Sequence, residues 1–122
     1  MADAAMSAVS DERWHDVGSL DEVRKRKRFV VVDGDHEIVV VAHDSEVYAL
    51  DNICIHKQRE LVKGVVLRDR LVCPGHQWAF DLRTGWEAVK QECQPTYAVR
   101  VDDAERVQVD LASRTVAVRA DG

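Results

Sequence analysis

Two cysteines and two histidines fall into two short clusters, Cys54-Ile55-His56 and Cys73-Pro74-Gly75-His76, with sixteen residues between His56 and Cys73. Each cluster offers one thiolate and one imidazole. Together they form a four-donor set that suits either tetrahedral zinc or an iron–sulfur cluster with one iron on Cys and the other on His. No Ser-His-Asp arrangement, glycine-rich phosphate loop or HExxH helix accompanies them. The carboxylate pairs Asp21-Glu22 and Asp102-Asp103 read as cap and turn residues. The chemistry on offer is that of a metal centre, with nothing equipped to bind a substrate.

The spacing separates the two options. C-x-H, a gap of sixteen, then C-x-x-H is the pattern of Rieske [2Fe–2S] proteins, and this chain resembles that family. The second cluster extends the likeness: Cys73 to Gly85 follows the family run C-P-x-H-x-x-x-F-D-x-x-T-G almost position for position. The resemblance implies one [2Fe–2S] cluster, with Cys54 and Cys73 on one iron and His56 and His76 on the other. It implies a ferredoxin, an electron carrier with no substrate site of its own. An electron-donating reductase would feed it, and an oxygenase or reductase subunit would accept the electron. Two neutral imidazoles in place of thiolates raise the potential to roughly −150 to +300 mV, from about −400 mV for all-Cys plant-type clusters.

Departures from the family pattern refine this. High-potential respiratory members carry an extra Cys in each loop, joined as a disulfide, where this chain has Arg59 and Gly75. They also carry a Ser and a Tyr whose hydroxyls bond cluster sulfurs, where this chain has Trp78 and Phe80. Missing hydrogen bonds lower the potential, so the resemblance implies the soluble, low-potential type. Gln58 and Gln77 stand where many soluble members have glycine, and Pro95 to Val99 is similar to Rieske-type small subunits of NAD(P)H-dependent nitrite reductases. That leaves two contexts for the carrier: an oxygenase system or a nitrite reductase.

Two other classes are weighed against the carrier. Rieske oxygenase large subunits add a second domain with a non-haem iron site, which needs a far longer chain. A structural Cys₂His₂ zinc domain uses the same four donors, yet zinc folds usually build a minimal core around the metal.

The elements that must hold the clusters are short strands. Trp14 to Val17 reads as an edge strand and Ser19 to Val23 as a capped helical turn. Phe29 to Val32, Asp33-Gly34 and Glu37 to Ala42 read as a hairpin, and Glu46 to Leu50 leads into the first cluster. Val65 to Leu67 and Leu71-Val72, joined through Asp69-Arg70, form a second hairpin that ends at Cys73, and Trp78 to Leu82 leaves it. Tyr97 to Val101, Val107 to Leu111 and Thr115 to Arg119 alternate apolar and polar residues, as half-buried antiparallel strands do. The expected fold is all-β: an antiparallel β-sandwich with a small cluster-binding subdomain at about residues 51–85. Residues 13–122 form the single domain, preceded by a disordered leader over 1–12.

Composition sets the remaining bounds. The chain has 122 residues, 46% of them hydrophobic and 32% charged, as in ordinary globular domains. Its longest apolar run is far too short to cross a bilayer, and its start lacks the basic and apolar regions of a secretory signal. A net charge of −5 disfavours nucleic acid and anionic membranes as partners. The basic run Arg24 to Arg28 reads as a solvated turn leading into a strand. Three cysteines, two of them assigned to metal, leave no disulfide framework, which fits a reducing cytoplasm. Cys93 is expected to be a buried small residue at a strand start, Trp14, Trp78 and Trp86 to be core or cover, and His15, His36 and His43 to be surface residues.

Overall fold

In a computed structural model, residues 14–34, 36–54, 59–74, 78–89 and 91–115 are described. The leader expected over 1–12 and the strand residues 116–119 lie outside them. The described chain runs β1 (Trp14–Ser19), α1 (Leu20–Arg26), β2 (Arg28–Asp33), β3 (His36–His43), β4 (Glu46–Asp51), β5 (Val65–Leu67) and β6 (Arg70–Val72). It continues through β7 (Ala79–Asp81), β8 (Trp86–Glu87), β9 (Glu92–Cys93), β10 (Thr96–Val101) and β11 (Arg106–Asp110). The expected all-β antiparallel architecture holds. Six strands form one sheet in the order β1-β11-β10-β4-β3-β2, and β5-β6-β7 form a second sheet. The paired strands β8 and β9 were not anticipated, because two-residue strands carry no periodic signal.

Strand β3 explains why the chain needs a continuous apolar run rather than alternation. Val39 and Val41 point into a core shared with Leu50, Leu71, Phe80 and both cluster cysteines. Ile38 and Val40 point the other way, into a core with Val23, Phe29, Tyr97 and Val107. Successive side chains of a strand face opposite sides, so a wall buried on both sides must be apolar at every position.

Local chemistry fixes the connections. Ser19 caps α1, its side chain accepting from the Glu22 N–H at 3.1 Å. The basic run departs from expectation: Arg24 to Arg26 form the last turn of α1, where cations favour the helix carbonyl end, and Lys27 is its C-cap. Arg28 opens β2, and its guanidinium donates to the carbonyls of Val62 (3.3 Å) and Gly64 (2.9 Å). That joins the large sheet to the segment between the ligand clusters. Two further pairs span the same seam, His43 with Asp69 at 3.6 Å and Arg83 with Glu46 at 3.4 Å. His15, His36 and His43 are half-buried, not freely exposed.

Candidate metal centre

Both cluster cysteines stand at the end of a strand-led approach and both are 1% exposed. Each begins a matched closure. The Cys54 N–H donates to the Arg59 carbonyl at 2.8 Å, and the Cys73 N–H donates to the Trp78 carbonyl at 2.7 Å. Both bonds span five positions, and each encloses one histidine in sequence. His56 and His76 themselves fall within 55–58 and 75–77, outside the described residues, as do Gln58 and Gln77.

Both thiols belong to one buried apolar cluster, where the Cys73 thiol lies 3.8 Å from the Pro74 carbonyl. Burial, and then interaction with Cys54, pushes the Cys73 thiol up to about 12, with the Arg59 charge acting the other way. Two thiols brought together in an apolar enclosure suit a metal that bonds to both, since a coordinated thiol loses its proton outright. Among the described residues no group of three or more His, Cys, Asp and Glu side chains gathers as a metal donor set. Trp78 and Phe80 wall this core, their rings 5.9 Å apart and tilted at 41°, and neither brings a hydroxyl. Trp78 therefore serves as the cover expected of it. Trp14 instead lies under the Arg100 guanidinium, 4.3 Å from its ring centre.

Every residue leading into Cys54 is held. The Asp51 N–H donates to the Pro95 carbonyl at 2.9 Å, and its carboxylate accepts from the Tyr97 hydroxyl at 2.6 Å and from Arg114. Asn52, fully buried, donates from its N–H to the Glu37 carbonyl and accepts on its side-chain oxygen from the Val62 N–H at 2.9 Å. Ile53 bridges to Glu60, and its carbonyl accepts from the buried Gln94 amide at 2.8 Å.

The second approach is held in the same manner. Glu87, a buried carboxylate, accepts from the Ala79 and Val89 N–H groups, both at 2.7 Å. Asp81 caps the turn after β7 by accepting from the Arg83 (2.8 Å) and Thr84 (3.0 Å) N–H groups, and Thr84 accepts from Trp86 N–H at 3.2 Å. Gly85 follows at φ +80°. The F-D-x-x-T-G run is therefore a turn prescription. Cys93 is half-buried rather than buried, and its thiol donates to the Thr84 carbonyl at 3.0 Å.

Sequence reasoning missed Asn52, Glu87 and Gln94. Each is a polar residue whose burial only the folded chain reveals, and only the bare abundance of polar residues near the clusters hinted at them. No disulfide joins the three cysteines. Among the described residues, no helix is long and apolar enough to cross a membrane.

Known proteins bear on this geometry. The anthranilate 1,2-dioxygenase ferredoxin subunit of Burkholderia cepacia is 29% identical over 108 residues, covering 87% of this chain and 99% of that protein. The naphthalene 1,2-dioxygenase system ferredoxin component of Pseudomonas aeruginosa is 30% identical over 107 residues, covering 83% and 98%. In structure, the ferredoxin of carbazole 1,9a-dioxygenase from Nocardioides aromaticivorans IC177 superposes with a TM-score of 0.67 at 28% identity, covering 78% of this chain and 96% of that one. The family model of the Rieske [2Fe-2S] domain matches residues 13–99, a span that holds both ligand clusters and the strands that carry them, and the chain belongs to that family.

Proposed function

We propose that this chain is a one-electron carrier, the ferredoxin component of a multicomponent oxygenase system. Cys54 and Cys73 would hold one iron of its [2Fe–2S] cluster, and His56 and His76 would hold the other. The observation that carries the reading is the burial of two thiols in one apolar cluster, each at the start of a five-position backbone closure that encloses one histidine in sequence. When bound, such a cluster supplies one-electron redox chemistry without group transfer.

The protein's own residues define the conditions. Cys54 and Cys73 would bind as thiolates, and Trp78, Phe80 and Leu61 share their buried cluster and exclude water from that side. Added negative charge is poorly stabilised in that apolar surround, which supports the low end of the Rieske potential range. His56 and His76 would hold the second iron as neutral ligands, which raises the potential of such a cluster relative to an all-Cys one.

A reductase is the donor and an oxygenase component the acceptor. The relatives named above serve dioxygenases, which favours this context over the nitrite reductase suggested by Pro95 to Val99. Residues 13–122 act as one domain with the cluster-binding subdomain at about 51–85, in the cytoplasm.

The test is electron paramagnetic resonance of the purified protein before and after dithionite, with iron and zinc counted on the same sample. The reading predicts a silent oxidised form, a rhombic signal on reduction, and two irons per chain. A colourless protein holding zinc would sink it.

A further inference from the structure

The Gln94 side chain is wholly buried, and its amide nitrogen donates to two carbonyls, those of Asp51 and Ile53, both at 2.8 Å. These carbonyls flank Asn52 and stand directly before Cys54. The Gln94 backbone faces the other way. Its N–H donates to the Gly85 carbonyl at 2.8 Å, and its own carbonyl lies so close to Gly85 that a Cβ there would run into it. Gly85 ends the run that begins at Cys73. A single residue therefore ties the approach to the first cysteine to the exit from the second.

Asn52 does not duplicate this. Its bonds go to Glu37, Leu61 and Val62, all on the first-cluster side. The bonds of Gln94 run from that side to the Gly85 turn.

We propose that Gln94 is a positioning residue for the metal centre: its amide holds the Asp51 and Ile53 carbonyls against the Gly85 turn and so sets where Cys54 stands relative to Cys73. The inference rests on the cluster reading above. A side chain without donors takes the Gln94 bond from two part-buried carbonyls, and the segment before Cys54 relaxes towards other donors or water. Partners one step removed from a metal fix ligand direction, and the metal's affinity and potential follow.

The experiment uses the whole chain with its cluster. Gln94→Met keeps the length and removes the donors, and Gln94→Glu keeps the shape and turns an acceptor towards two carbonyls. Sheet content by circular dichroism, iron and sulfide per chain, the reduced-state resonance spectrum, the midpoint potential and the rate of bleaching by a ferrous chelator are read for each. Both variants are expected to keep their sheet signal and load a cluster. They are also expected to show a broadened resonance, a displaced potential and bleaching faster by about tenfold or more. An unchanged spectrum, potential and bleaching rate would overturn the proposal and leave Gln94 as packing. Loss of the sheet signal in both variants would also overturn it, by making Gln94 a folding residue. A wild-type chain without iron would instead remove the cluster reading itself.

Discussion

The Arg28 guanidinium donates to the Gly64 carbonyl at 2.9 Å, so a residue of a solvent-facing basic run holds the ligand-bearing sheet to the large one. Arg28→Ala should destabilise the fold by about 1–3 kcal/mol, because a charged donor is lost at a half-buried seam. Arg28→Lys should recover only part of this, since a single ammonium lacks the fork that reaches both the Val62 and Gly64 carbonyls. Urea unfolding of the three proteins checks the order.

Two glycines should resist any side chain. At Gly85, φ is +80° and a Cβ would strike the Gln94 carbonyl; at Gly64, a Cβ would strike the Val72 carbonyl. Gly85→Ala should cost at least about 2 kcal/mol, from backbone strain and displacement of Gln94 together. Thermal unfolding would show it, and a near-neutral Gly85→Ala would contradict the close approach.

Tyr97 gives the protein an alkaline weakness. Burial, and then the hydrogen bond to Asp51, hold its hydroxyl above the usual tyrosine range, while Arg114 acts oppositely. In the unfolded chain tyrosine ionises near about 10. Below that pH the contribution is constant. Above it the unfolded chain ionises first, so stability falls as pH climbs towards the folded value. Tyr97→Phe should cost about 1 kcal/mol at neutral pH and flatten the decline above pH ~10. Urea midpoints at pH ~8 and ~11 for both proteins provide the comparison.

The proposed ligand assignment makes the potential depend on His56 and His76. His56→Cys or His76→Cys should keep a coloured cluster and move its potential down, towards the roughly −400 mV of all-Cys centres. A redox titration followed by visible absorbance reads this directly. An unchanged potential would mean that neither imidazole touches iron.

Much of this was legible in the chain. Two Cys and two His at fixed separations announced the family, and β2 to β6 followed from apolar runs broken by turn residues. The positions that escaped were those whose role depends on burial. Asn52, Glu87 and Gln94 look like surface residues in sequence, because a polar side chain satisfied by backbone partners leaves no periodic trace. The basic run is solvated and leads into a strand as expected. Arg24 to Arg26, however, end a helix of seven residues where a turn was expected, because so short a helix has too little periodicity to outweigh the density of charge. Cys93 read as inert packing, yet its thiol found a carbonyl that only the β8–β9 pairing brings near.

The two-faced wall at β3 has a thermodynamic consequence. Val39 and Val41 belong to the same strand as Ile38 and Val40, so neither core can be hydrated without dragging the other's residues with it. The metal-bearing part and the scaffold should therefore melt in one calorimetric transition, with van't Hoff and calorimetric enthalpies equal. The unit that stores stability is larger than the unit that carries the electron.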